Sequence, residues 1–276
     1  MTTTDSRPRT HRTGTQTVAT ITRAEVKRLL GRGGIRGWLV VAAILAIGSG
    51  VLAVLMSGAG ALRDVGGITA ADVSSSGPVT VALVLSLAVT HYVPREVGDG
   101  TVMTARCLVP RTKVLFAGRM LAWCLVTACL AVATALVPLP LALVLGDVVA
   151  SSPVQLAAGL LTSVGLATLL MGLAHAAATL LQRGALVVAV GMTMLVVLPM
   201  VITLGSFLMS GAVATGLVWL SRVVLGSLVL TALQVPTGVD QSWGPWAWSM
   251  VGLLAWWVAT TSLAYQAFRR PGYGDR

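Results

Sequence analysis

The side chains best suited to chemistry in this chain lie in one short charged stretch, residues 91–120, HYVPREVGDGTVMTARCLVPRTKVLFAGRM. The chain as a whole is 56% hydrophobic and only 10% charged. This stretch nevertheless holds seven charged side chains: Arg95, Glu96, Asp99, Arg106, Arg111, Lys113 and Arg119. Acidic and basic groups so mixed favour ion pairs and charge-assisted hydrogen bonds with another surface. The charges alone are equally typical of an ordinary basic loop beside a membrane.

Catalytic patterns are missing from the rest of the sequence. Neither lysine, Lys27 or Lys113, follows a glycine, so the ATP-binding motif GxxxxGK[ST] is absent. His91 and His175 are the histidines in or near apolar segments, and neither has an acidic residue three or four positions away. An intramembrane hydrolase would need such a pair or a metal cluster. We therefore expect no enzyme activity and no cofactor in this chain, with His175 a packed helix residue.

The cysteines and the acidic residues exclude two further kinds of site. Cys107, Cys124 and Cys129 form no CxxC pair and no Cys/His cluster, which predicts free thiols and no metal site. All nine acidic residues fall in predicted tails or loops, whereas ion-coupled transporters place such groups inside their spans. If the protein moves a substrate, the energy should come from another subunit.

The composition predicts an integral membrane protein, because so few charged residues cannot cover a soluble domain. The net charge of +10 does not indicate nucleic-acid binding, since the basic residues cluster beside apolar runs, as juxtamembrane charge does. An all-α fold with six spans of about 20 residues follows. We place them at about 38–56, 78–93, 119–146, 155–181, 184–209 and 244–268.

Other segments surround these spans within the transmembrane domain, residues 38–268, and at its ends. Residues 1–17 are polar and predict a disordered tail, and residues 18–33 have the spacing of an amphipathic helix on the inner membrane surface. Residues 57–77 are predicted to be a loop, and residues 269–276 a second tail. Pro138 and Pro140 should kink or break the far end of the third span.

Residues 217–235 are long enough to span, but Arg222 would cost about 2.5–3.5 kcal/mol near the bilayer centre. With six spans and both termini inside, 17 of the 19 Lys and Arg residues fall on the cytoplasmic side, leaving Arg63 and Arg222 outside. A seventh span would export the basic C-terminal residues. We therefore expect residues 210–243 to dip into the membrane from outside without crossing it.

The charged stretch lies on the cytoplasmic side in this topology, between the second and third spans. Pro94 should end the second span, and Asp99 should cap a short helix over residues 100–108, with Arg106 near its end. Pro110 should end the helix. Val102, Ala105 and Val109 would form an apolar stripe along it. So short a helix needs the membrane or a partner protein to pack against.

This stretch resembles the cytoplasmic loop of ABC-2 type transporter permeases, the membrane subunits of many bacterial ABC exporters. Their pattern is a Glu, a Gly-Thr pair four residues later, a Pro followed by a basic residue, and a basic residue at the third span. The matching positions here are Glu96, Gly100, Thr101, Pro110, Arg111 and Arg119. The family's N-terminal Glu-x-x-Lys segment is matched more loosely by Glu25 and Arg28, and its Arg-Arg-Asp ending is replaced by Arg269, Arg270 and Pro271.

The resemblance implies a permease in the bacterial plasma membrane, with a coupling helix in this loop that docks on a separate ATPase subunit. ATP and Mg²⁺ would be bound by that ATPase, and a second permease chain would complete the pathway. The implied contact residues are Glu96, Asp99, Gly100, Thr101, Arg106, Pro110 and Arg111. The amphipathic segment would be the elbow helix and residues 210–243 the re-entrant pair. A non-transporting scaffold or immunity-type membrane protein is the alternative, and the sequence assigns no substrate residue.

Overall fold

A computed structural model describes residues 17–58, 70–109, 111–145, 153–234, 243–270 and 273. These residues form helices joined by short turns, without a strand among them. The helices are α1 (Val18–Gly31), α2 (Gly33–Gly58), α3 (Ala70–Gly98), α4 (Thr101–Leu108), α5 (Thr112–Leu136), α6 (Pro138–Leu145), α7 (Pro153–Leu181), α8 (Gly184–Met192), α9 (Leu198–Leu208), α10 (Ala212–Ser221), α11 (Leu225–Leu233) and α12 (Gly244–Phe268). A π-helical turn, Thr193–Val197, joins α8 to α9.

Six of these helical segments are long and apolar enough to cross a membrane, which makes the chain a multi-pass membrane protein. They lie at Gly33–Leu55, Val73–Gly98, Thr112–Leu141, Pro153–Leu181, Gly184–Leu208 and Gly244–Phe268. The all-helical prediction with six spans is thus confirmed. The pair α10 and α11 is also apolar, but its two halves are bent by 70° at residues 222–224, so it is not one straight span.

Two predicted boundaries of the second span are wrong. The helix starts at Ala70 and ends at Gly98, so residues 70–77 of the expected loop are helical and Pro94 does not end the span. Tertiary packing explains the first error, because Ser74 is fully buried and Gly77 lies directly against the backbone of Thr134 on the third span. Spanning helices tolerate an internal proline when neighbouring helices satisfy the freed backbone groups. The predicted tail at residues 1–17 lies outside the described residues except for Thr17, the N-cap of α1.

The third span breaks where its prolines predict. Helix α5 ends at Leu136, and α6 begins at Pro138 after a single turn residue. Proline has no backbone N–H to donate to the preceding turn, and its ring clashes with that turn, so the helix is interrupted there.

Helices α3 and α7 form the centre of the bundle. The most apolar window of α3 is 56% buried and that of α7 is 50% buried, against 22% for α2 and 17% for both the α8–α9 span and α12. Helices α2, α5 and α7 pack against α3, and α12 packs against α7. The three outer spans therefore present most of their surface to lipid or to other chains.

Substitutions at two glycines, Gly77 on α3 and Gly48 on α2, would test how closely the helices pack. A Cβ atom on Gly77 would lie 2.8 Å from the backbone carbonyl oxygen of Thr134, whereas a Cβ on Gly48 would meet nothing within 4 Å. We expect Gly77→Ala to lower the free energy of unfolding by about 1–3 kcal/mol through overpacking. Gly48→Ala, the matched control, should leave stability unchanged or raise it by up to about 1 kcal/mol. Thermal unfolding of both variants in detergent checks this, and equal transition temperatures would contradict the close contact.

Contacts between distant residues place α1, α4, the end of α7 and the end of α12 at one end of the bundle. They join Arg32 to Glu96, Arg106 to Phe268 and Tyr273 to Thr179. We call this end the basic end. Of the 14 Lys and Arg residues that the structure describes, 13 lie there, and the fourteenth is Arg222. This distribution is typical of a membrane protein with an asymmetric charge across the bilayer.

Candidate functional site: the charged loop and the ion-pair cluster beneath it

Glu96 is the centre of a buried ion-pair cluster at the basic end. Its side chain is 7% exposed and forms ion pairs with three guanidinium groups. Arg32 Nη1 lies 2.6 Å and Arg28 Nη2 lies 2.9 Å from Glu96 Oε1, and Arg119 donates to Oε2. Glu25 completes the group, with its carboxylate 2.7 Å from Arg28 Nε and 3.7 Å from Arg119 Nε. We call these five residues the Glu96 cluster.

The amphipathic helix α1 brings the first members of the cluster into place. Glu25 and Arg28 lie one helical turn apart on the face that packs against α5. Gly118 on α5 permits the close approach, because a Cβ there would fall within 2.6 Å of the Ile21 side chain and 3.3 Å of the Thr22 backbone nitrogen. Arg32 follows as the C-cap residue between α1 and α2. The predicted helix over residues 18–33 is therefore present and is fastened to the bundle.

The cluster joins three separate parts of the chain, namely α1, the last turn of α3 and the second turn of α5. Its two carboxylates and three guanidinium groups leave one net positive charge. Arg119 has a side chain only 9% exposed, and burying such a group is costly unless it is paired. The cluster therefore fixes the relative positions of these helices.

Glu96 therefore does not lie on the exposed surface of the loop in this conformation. Its carboxylate faces α1 and α5, and a direct contact with a partner ATPase would require the cluster to open. Within the part of the chain that the structure describes, no three His, Cys, Asp or Glu side chains are placed to hold a metal ion.

The predicted N-cap at Asp99 is wrong. Helix α4 begins at Thr101 with Gly100 as its N-cap, at φ +70°, and no side chain caps it. Only glycine adopts this left-handed conformation at little cost, so Gly100 sets the turn. Asp99 is instead an exposed partner of Arg95, with its carboxylate 3.5 Å from Arg95 Nε.

The remaining predicted contact residues lie at or near the surface around α4. Thr101 and Arg106 are half-buried, and Arg106 lies over the ring of Phe268 on α12, 5.5 Å from its centroid. Arg111 is exposed as the N-cap of α5. Pro110 lies outside the described residues. The structure thus places these residues along one short loop, with Glu96 beneath it.

Helix α4 has two distinct faces. Val102 and Val109 are buried against Val97 and Phe116, with Ala105 half-buried beside them, which confirms the predicted stripe. The opposite face exposes Met103, Thr104, Cys107 and Leu108, with Leu108 69% exposed. The sequence analysis did not predict this second face, although helical spacing from the stripe indicates it.

Tyr273 is a second buried group that the sequence did not indicate. Its hydroxyl donates to the Thr179 carbonyl oxygen at 3.0 Å, and its ring lies 5.2 Å from that of Phe268. His175, one turn before Thr179, is 3% exposed and lies 6.1 Å from the Phe116 ring, as expected of a packed helix residue. Tyr273 therefore fastens the segment after α12 to the end of α7.

Burial raises the pKa of Tyr273 to about 12 from its usual value near 10. The neutral phenol is thus the form that the folded protein favours, so its contribution to stability is complete below pH 10 and is lost as the pH rises from 10 to 12. We expect Tyr273→Phe to lower the free energy of unfolding at neutral pH by about 0.5–1.5 kcal/mol and to remove this part of the alkaline destabilisation. Chemical denaturation between pH 7 and 11.5 checks both effects. An unchanged alkaline profile would show that Tyr273 is not buried.

Neither the known family models nor the curated proteins contain a match to this chain.

Proposed function

We propose that this chain is the permease subunit of an ABC-2 type exporter, coupled through residues 94–112 to a separate ATP-hydrolysing subunit. The basic end is then cytoplasmic, α1 is the elbow helix and α4 is the coupling helix. The bent pair α10–α11 is the re-entrant segment on the outer side. The resemblance of residues 96–119 to that family motivates the proposal, and the geometry of α4 supports it.

The exposed apolar face of α4 is the observation that carries the proposal. Met103 is 37% and Leu108 69% exposed on an eight-residue helix at the most highly charged end of the protein. Apolar side chains at an aqueous end suit a protein contact better than open solvent. A second protein with a groove for this helix would cover them.

The connections of α4 suit it to pass a force into the membrane. Two residues join it to the end of α3 and three residues join it to the start of α5. Arg106 contacts the end of α12 through Phe268. A displacement of α4 by a partner would therefore act directly on three spans, and the Glu96 cluster would carry it on to α1.

The outer spans support pairing with a second permease chain. The α2 and α12 windows and the α8–α9 window are at most 22% buried within this chain, so a large apolar surface is open to a neighbouring copy. Without a hydrophobic drive between helices in lipid, such pairing depends on close packing of small residues.

Purification with an ATPase tests the proposal. The chain would be co-expressed with any P-loop ATPase encoded beside its gene, purified through a tag on the permease and reconstituted in vesicles. We expect a stable complex whose ATP hydrolysis depends on both subunits. Failure of every neighbouring ATPase to bind, while the chain itself stays folded, would overturn the proposal and favour a non-transporting scaffold.

A further inference from the structure

A cavity of about 590 Å³ lies at the bend between α10 and α11, away from the basic end. Helix α12 closes its other side. Most of its wall is apolar, and the lining residues include Trp219, Arg222, Val223, Leu228, Pro245 and Trp248. This volume falls in the range of pockets that hold small ligands.

The bend is held against the neighbouring helices by hydrogen bonds and close packing. The Val223 carbonyl oxygen accepts a hydrogen bond from Trp256 Nε1 at 2.9 Å, and Trp256 is the central residue of α12. Gly226 packs directly against the carbonyl oxygen of Leu195, close to the midpoint of the span Gly184–Leu208. The Arg222 carbonyl oxygen accepts from Trp248 Nε1 at 3.2 Å. The bend therefore contacts α12 both near its start, at Trp248, and at its middle, at Trp256.

Arg222 brings a positive charge into this cavity. Its guanidinium lies over the Trp219 ring, 4.4 Å from the centroid, and both side chains are exposed. Among the described residues no carboxylate forms an ion pair with it, and Asp240 lies outside them. The cation–π contact with Trp219 does not neutralise the guanidinium charge, and a bound anion would supply the opposite charge.

We propose that this cavity binds a phosphate-bearing anionic amphiphile, with Arg222 pairing its headgroup. Guanidinium binds phosphate oxygens in a bidentate fashion, and the Trp and Leu walls suit an acyl chain. The uncapped N-terminus of α12 at Gly244 lines the same cavity and adds a favourable dipole. This inference does not depend on a partner ATPase.

Tryptophan quenching by brominated lipids tests the site, because Trp219 and Trp248 line the cavity. The full chain would be placed in phosphatidylcholine vesicles that contain a small, increasing fraction of brominated phosphatidylglycerol or brominated phosphatidylcholine. We expect more quenching by the anionic lipid. The excess quenching is the quenching by brominated phosphatidylglycerol minus that by brominated phosphatidylcholine. Arg222→Gln should raise about tenfold the fraction of anionic lipid at which this excess quenching is half-saturated. Arg222→Lys should keep most of the excess quenching.

Arg183→Gln is the matched control, since Arg183 is also an exposed arginine but lies at the opposite end of the bundle. It should leave the excess unchanged. Inorganic phosphate at millimolar concentration distinguishes free phosphate from a lipid headgroup as the ligand. Reversal of the excess quenching identifies the free anion as a sufficient occupant, and no reversal identifies the intact lipid. Equal quenching by the two lipids in the wild type, or an unchanged excess in Arg222→Gln, would overturn the proposal.

Discussion

Replacing Glu96 by glutamine should lower the free energy of unfolding by about 3–5 kcal/mol, the largest stability effect expected of a single polar substitution here. The change keeps the shape of the side chain but removes the negative charge that faces Arg28, Arg32 and Arg119. Arg119 would then be buried with only Glu25, 3.7 Å away, to balance it. Thermal unfolding in detergent, followed by tryptophan fluorescence, should show a transition about 10 °C lower.

Asp99→Asn is the matched control for this substitution. Asp99 also pairs with an arginine, but both side chains of that pair are more than 60% exposed. Exposed ion pairs contribute about 0–1 kcal/mol, so the control should unfold close to the wild-type temperature. If Glu96→Gln and Asp99→Asn were equally stable, the Glu96 cluster would not hold α1 against α3 and α5.

Placing a charge on the exposed apolar face of α4 should disrupt the proposed contact with the ATPase. Leu108 is 69% exposed, so Leu108→Asp should leave the unfolding temperature of the permease unchanged. A buried, unpaired carboxylate at an interface typically costs several kcal/mol, so we expect the affinity of the ATPase to fall at least a hundredfold. Affinity can be measured by titrating the ATPase into reconstituted permease and recording bound protein and ATP hydrolysis together.

Leu108→Met is the control at the same position, since it keeps an apolar side chain of similar volume. It should bind the ATPase within a few-fold of the wild type. Unchanged binding and hydrolysis with Leu108→Asp would show that this face of α4 is not the contact.

The sequence was most informative where one physical requirement dominates. A span needs about 20 apolar residues, so the lengths of the apolar runs, together with the distribution of Lys and Arg, predicted six spans. The sixth was placed at its observed bounds. The apolar stripe of α4 and the break before Pro138 also follow from local rules of helix geometry. Each of these features depends on residues close together in the chain.

The errors arise where distant residues decide the structure. Ser74 and Gly77 look like a turn, yet they lie in α3 because that surface packs against α5. Arg32 and Glu96 are 64 residues apart, so no local pattern could indicate that they form an ion pair. The same holds for Tyr273 and Thr179, which are 94 residues apart. Glu96 was therefore expected at a partner surface, whereas the structure gives it an internal contact.

Cross-linking from Cys107 tests most directly whether α4 contacts a separate ATPase. Cys107 lies on the exposed apolar face of α4, and Cys124 is buried. Cys129 is also exposed and can be removed as Cys129→Ser. A photoactivatable maleimide on Cys107 would be illuminated in vesicles that contain the co-expressed ATPase, with and without ATP. We predict one cross-linked product between permease and ATPase, changed in yield by ATP and lost in Leu108→Asp. A functional complex that hydrolyses ATP without any cross-link from Cys107 would contradict it.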